Sequence, residues 1–265
     1  MAKRRRARRG QLIAAVSSVL VIGGLVALIV TSPGWSKPGG VKDTFFSWSV
    51  FKDSFPDVLS HFWLDVKIFL VVEVAVLILG LLLALLRTSR SPALFPLRIL
   101  GTGYVDVFRG IPTLLLVYLI GFGVPALYLT EEPPSEVLLG GIALTLSYGA
   151  YVAEVYRAGI NSVHRSQRDA ALAIGLTEPQ ALRHVILPQA VRRVAAPLLN
   201  DFVALQKDVV LISILGPQEA FRVAQIIQGE QFNYTPLVAA SLLFLAVTIP
   251  CARLVDRLGG GAGVR

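Results

Sequence analysis

Apolar runs close to the length of a bilayer crossing constrain this chain more than any other feature. A hydrocarbon core about 30 Å thick takes roughly 20 apolar residues in a helix. Backbone groups inside it must be satisfied within the segment, which leaves the helix as the element for runs of this kind. Six spans are read, at 11–30, 64–86, about 99–123, 137–157, 195–215 and 236–256. Gly, Pro or charged residues dilute the third to fifth. Charged residues are only 16% of the chain, below the ~25% usual in soluble domains. The expectation is an all-α integral membrane protein.

The net charge of +8 raises nucleic-acid binding as a possibility, but its distribution points to topology. With the N-terminus inside, the internal segments 1–10, 87–98, 157–194 and 252–265 hold 18 Lys and Arg, and the external ones hold 4. That asymmetry is the positive-inside pattern and places both termini in the cytoplasm. The basic tail Lys3–Arg9 then reads as a topology anchor that also touches anionic lipid, with no nucleic acid as partner. The run 11–30 exceeds a signal-peptide core and no small-x-small site follows it, so it reads as a retained anchor.

Segment 31–63 reads as external and aromatic-rich, broken by Pro33, Gly34, Pro38, Gly39 and Gly40. The acidic turn 131–136 also faces outside, and the Gly-rich tail 258–265 reads as disordered. Catalytic chemistry finds no support. The single cysteine, Cys251, excludes disulfide frameworks and Cys-based zinc sites. His61, His164 and His184 lack metal-ligand spacing. There is no nucleophile elbow, paired catalytic carboxylate or Gly-x-x-x-x-Gly-Lys-Ser/Thr loop. No catalytic residue, metal or cofactor is assigned to this chain; if ATP drives it, the nucleotide binds elsewhere.

The polar stretch 166–188, set between apolar runs, predicts a capped helical hairpin. Ser166 with Asp169 forms a capping-box-like start. The first helix runs to Ile174, and Gly175 supplies the left-handed residue that ends it. Thr177 with Gln180 opens a second helix, in which Leu182, Val185 and Ile186 recur at helical spacing and Pro188 bends or ends the run. Ala170-Ala171 leaves a flat surface that another backbone can approach. Loops without a duty tend to be short, so this one reads as a docking element.

Charges inside spans are the other candidates for function. One charged residue at mid-bilayer costs about 2.5–3.5 kcal/mol on insertion scales. Lys207 and Asp208, strengthened by Asn200, Asp201 and Gln206, are therefore expected to face protein or water. They form a polar wall of a translocation path, a charge pair joining two spans at a moving interface, or a structural salt bridge with no substrate contact. Glu154 with Arg157, and Asp106 with Arg109, have the i,i+3 spacing of helix-face ion pairs, with a gating role open to Glu154, Arg157 and Arg109. Glu73 is either protonated and hydrogen-bonded between helices or lines a cavity.

Asp169-Ala170-Ala171, three residues, Gly175, nine residues, Val185, one residue and Leu187-Pro188 resemble the Glu-Ala-Ala loop of bacterial ATP-binding-cassette (ABC) importer permeases. Asp replaces Glu at 169, and Val replaces Ile at 185. The stretches 104–112, 153–160 and 207–216 resemble the polar amino-acid uptake subfamily, of the histidine, glutamine and glutamate type. The resemblance covers about residues 60–257 and implies a five-helix type I permease core, with 11–30 as an additional transmembrane helix. It implies a permease domain at 64–257 whose cytoplasmic coupling loop is 158–194. Asp169, Ala170, Ala171, Gly175, Leu187 and Pro188 would couple it to an ATPase. The implied partners are a second permease, two ATP-binding subunits carrying ATP and Mg, an extracytoplasmic solute-binding protein, an amino-acid substrate of the glutamate/glutamine type, and lipid of the bacterial inner membrane. From the residues alone, a secondary transporter or channel using its intramembrane charges for ion coupling stands as the alternative, and a non-transporting scaffold as a third.

Overall fold

The computed structural model describes residues 2–89, 91–127, 132 and 134–260, with the side chains of 2–14, 36, 256 and 258–260 outside the description. Glu131 and Pro133 of the acidic turn, the basic side chains of 3–9 and the tail beyond Gly260 therefore lie outside the described residues. Among those described, every regular element is helical. Three stretches are long and apolar enough to cross a membrane: Val41–Thr88, Glu136–Ser162 and Thr235–Val255.

The chain begins with α1 (Ala2–Val30) and two short helices, α2 (Pro33–Ser36) and α3 (Val41–Phe45). The Pro and Gly residues of 31–47 thus interrupt helix without preventing it. Helix α4 (Trp48–Thr88) is 41 residues long rather than starting near residue 64. At 1.5 Å per residue it spans about 60 Å, twice the hydrocarbon thickness. Pro56 lies inside this helix, in the stretch preceding the apolar run. One face, Val58, Phe62, Asp65, Phe69, Val72, Val76, Gly80 and Ala84, is buried at spacings of three or four. Leu70, Val71, Val74, Ile78 and Leu82 are exposed and suit lipid.

Helix α7 (Glu136–Ser162) packs along α4 through reciprocal small-residue contacts. A Cβ at Gly80 would lie 2.5 Å from Val152 Cγ1, and one at Gly149 would lie 2.7 Å from Leu79 Cδ2. Neither helix can move aside without opening the core of Phe69, Val76, Leu144, Val152, Leu205 and Ile212. Gly80→Ala is expected to lower stability by about 1–3 kcal/mol through overpacking, and Val152→Ala to recover part of the loss. Thermal unfolding of the detergent-solubilised proteins reads both; an unchanged Gly80→Ala transition counts against this contact.

The third expected span is not one helix. Helices α5 (Phe95–Gly110) and α6 (Thr113–Ala126) meet at 105°. Pro112 disfavours helical geometry at the residue before it, and Ile111 is extended at φ −93°, ψ 129°. The fifth is helix α10 (Leu187–Asp208) continued by a 3-10 turn, Val209–Leu215, which ends at Gly216 with φ 120°. The expected external connector 216–235 contains helix α11 (Ala220–Gln231), which packs against α4 and the last helix, α12 (Thr235–Gly260). Val58, Phe62, Ala220, Ala224 and Ala240 form its core. The side chains of α1 from Ala15 to Val30 are all exposed.

Candidate functional site

The hairpin forms as two arms. Helix α8 (Arg165–Ala173) starts one residue before Ser166, so the expected Ser166–Asp169 box is replaced. His164 is the cap, its Nδ1 accepting from the Ser166 N–H at 3.2 Å. Gly175 takes φ +92°, as its position predicts. The Gly175 N–H donates to Leu172 O at 3.0 Å and the Leu176 N–H to Ala171 O at 3.1 Å, the paired bonds of a Schellman ending. The second arm starts at Thr177, whose N–H donates to Gln180 Oε1 at 2.9 Å, and continues as α9 (Glu178–Ala181). An ion pair between Arg168 and Glu178 joins the arms.

Pro188 does not end the second arm. A π-helical turn, Leu182–Ile186, carries the chain from α9 straight into α10, with Pro188 in its first turn. The wider turn leaves room for a proline ring and spares the hydrogen bond it cannot donate. Of the expected apolar stripe, Ile186 is buried with Val163 and Ala190, and Leu182 packs beside them, bracing the arm on the end of α7. Val185 is half-buried and Leu187 likewise. The small-residue surface is narrower than the sequence suggests: Ala171 is buried, while Asp169, Ala170 and Ala173 are exposed. Beside Gly175, Ile174 is 79% exposed, a bare aliphatic tip that sequence reasoning missed because it closes the helical run.

The charged candidates do not converge on one spot. Glu154 accepts from Arg157 Nη2 at 2.9 Å, as expected, and also from Arg87 Nη1 at 2.6 Å. Arg87, in the last turn of α4, has a side chain only 7% exposed. The three ion pairs among the described residues do not include Asp106–Arg109. The Arg109 guanidinium lies 5.6 Å from the Tyr151 ring centroid instead, a cation–π contact at the end of α5.

Lys207 and Asp208 also part company. Adjacent residues on a helix point about 100° apart. Asp208 accepts from Tyr148 Oη at 2.8 Å. Lys207 is exposed and lines a cavity of about 440 Å³ with Phe221, Phe244 and Thr248. Neither belongs to a salt bridge among the described residues. Gln206 accepts from Thr248 Oγ1 at 2.7 Å. Glu73 is half-buried, and among the described residues it makes no side-chain hydrogen bond of the kind expected of an interhelical bridge.

One acidic pair went unnoticed in the sequence. Asp65 of α4 and Glu219 are 3% and 0% exposed. Asp65 Oδ2 accepts from the Ala220 N–H at 3.1 Å, while Glu219 takes the N–H groups of Phe221 and Arg222 at 2.8 and 2.7 Å. The N–H groups of the first three residues of α11 are thereby met, and α11 is fastened to α4. The only signal was an acidic residue at the edge of an apolar run. Among the described residues, no group of three or more His, Cys, Asp or Glu is arranged to hold a metal ion.

Residues 76–260 match the family model described as binding-protein-dependent transport system inner membrane component. The putative glutamine transport system permease protein GlnP of Rickettsia felis is 36% identical over 175 residues, covering 65% of this chain and 78% of the relative. The probable amino-acid permease protein YxeN of Bacillus subtilis is 31% identical over 210 residues, covering 79% and 92%. A crystal structure of an amino acid ABC transporter with histidines superposes with a TM-score of 0.69 at 28% identity, covering 80% of this chain and 95% of the other.

Proposed function

Because the chain belongs to the family of binding-protein-dependent transport system inner membrane components, we propose that it is the permease subunit of an ATP-driven importer of polar amino acids. It is a transport component rather than an enzyme. Hydrolysis is assigned to a separate ATPase, which holds the ATP and Mg. The relatives' names support an amino-acid substrate, and glutamine is the one that the Rickettsia name carries. A second permease, identical or homologous, two ATPases and an extracytoplasmic solute-binding protein complete the proposed assembly.

Six crossings are assigned by counting α1, the bent pair α5–α6 and α10 with its 3-10 turn alongside the three long apolar helices. The lysine and arginine distribution supports both termini and the hairpin on the cytoplasmic face of the bacterial inner membrane. In this scheme 1–10 is a basic tail, 11–30 the additional span, 31–63 an external segment, 64–257 the permease domain and 258–265 a terminal tail.

The observation that carries the mechanism is the continuity of the hairpin with α10. Asp169, Ala170 and Ile174 are exposed at the tip, and the second arm passes through Leu187 and Pro188 into a helix that ends at Asp208. A push on the tip by a closing ATPase would be carried about 30 Å along α10 to Gln206, Lys207 and Asp208. There it would strain the Tyr148–Asp208 bond and shift the wall of the Lys207 cavity, biasing the equilibrium between inward- and outward-open states. Glu154, Arg157 and Arg87 would hold α4 and α7 together as the fixed body. Arg109 and Glu73 stand as pathway or gating candidates.

Uptake by the chain reconstituted with its ATPase and binding protein should require ATP hydrolysis and vanish when the ATPase is omitted. Uptake by the chain alone, driven by membrane potential, would establish a secondary transporter instead. Lys207→Leu should reduce uptake at least tenfold while assembly, followed by size-exclusion chromatography, persists. Full activity in that variant would show the exposed charge to be dispensable.

A further inference from the structure

A cleft of about 810 Å³ opens where the first arm of the hairpin meets the ends of α4 and α7, away from the Ile174 tip. Its floor is apolar, built from Leu85, Leu86, Leu94, Ile160 and Ile186. Its rim is polar and cationic, with Ser89, Ser91, Asn161, His164, Arg165 and Arg168. Among the described lining residues Glu178 is the one acidic residue, and it is already paired with Arg168. Arg168 Nε remains buried without an acceptor, and Arg165 belongs to none of the ion pairs among the described residues. The cleft therefore offers unmatched positive charge above a greasy floor, next to the point where α4 leaves its apolar run. Basic pockets between transmembrane helices on the cytoplasmic side suit anionic headgroups, with acyl chains continuing along the apolar wall.

We propose that this cleft seats the headgroup of an anionic phospholipid between the hairpin and the α4–α7 body. The inference rests on the orientation given under Proposed function. A lipid held there fills the space behind the first arm, so that a push on the tip moves α10 rather than collapsing the hairpin into a void.

The test uses the permease assembled with its ATPase in phosphatidylcholine vesicles carrying a photoactivatable phosphatidylglycerol or phosphatidylcholine probe. The phosphatidylglycerol probe should label peptides covering 85–94 and 160–168, and excess inorganic phosphate should leave that labelling unchanged. Arg165→Gln should lower the labelling about five-fold, the effect of one surface arginine on anionic lipid. Leu94→Trp, which fills the floor, should lower it with Arg165 in place. Equal labelling by the phosphatidylcholine probe, competition by phosphate, or no labelling of these peptides in the ATPase-bound assembly would each overturn the proposal. An Ile174→Cys hairpin modified by an impermeant reagent only from outside would sink the orientation instead, a result separable from an unlabelled cleft in a correctly oriented subunit.

Discussion

Ala170→Arg is expected to abolish ATP-driven uptake while the subunit still inserts and assembles with its permease partner. Ala170 is exposed on α8, so the substitution fills no core position and its stability cost should stay within about 0.5 kcal/mol. Its effect would fall on the partner, because a long charged side chain stands where a small residue lets a second backbone approach beside the exposed Ile174. Displacing a close backbone contact and burying an unpaired guanidinium at an interface costs several kcal/mol, enough to cut coupled transport by a factor of a hundred or more. Uptake and ATP hydrolysis measured together in proteoliposomes check it: hydrolysis should persist or rise while uptake falls. Normal uptake would refute docking at this face.

Glu154→Gln, which removes both ion pairs of this carboxylate, should destabilise the folded subunit far more than Arg157→Ala, which removes one. The difference lies in the partner left behind. Arg157 is 40% exposed and can turn to water, so its loss is worth about 1 kcal/mol or less. Arg87 is 7% exposed, and without Glu154 its charge is stranded between α4 and α7, at a cost approaching the ~3–5 kcal/mol seen for broken buried pairs. Adding Arg87→Met to Glu154→Gln removes the stranded charge and should recover most of the loss. Thermal unfolding of the three variants beside the unsubstituted subunit decides it, and equal transitions for Glu154→Gln and Arg157→Ala would contradict the burial argument.

Local chemistry made much of the hairpin readable in advance. Gly175 ends α8 because the left-handed conformation is cheap only for glycine, and Gln180 caps the second arm because it lies three residues beyond Thr177. Both devices act within one turn. The expectations that failed were those in which a side chain had a choice of partners. Ser166 was a plausible cap until His164, two residues earlier, took the position. Asp106 was the nearest carboxylate to Arg109 along α5, yet Tyr151 on α7 lies under the guanidinium. Pro188 was expected to bend or end the helix; it does not end it, because a π turn, which leaves no mark in composition, relieves the missing bond.

Apolar run length, charge asymmetry and the four spaced motifs were enough to define a helical membrane chain and its family, since hydropathy and capping depend on neighbours within a few residues. Which charges meet was decided in three dimensions. Gly80 and Gly149 let α4 and α7 approach until Arg87 reaches Glu154, and the turn at Gly216 returns the chain so that Asp65 caps α11 from 155 residues away. Those pairings depend on how closely whole helices pack, and close packing is a property of facing surfaces that no single stretch of sequence contains.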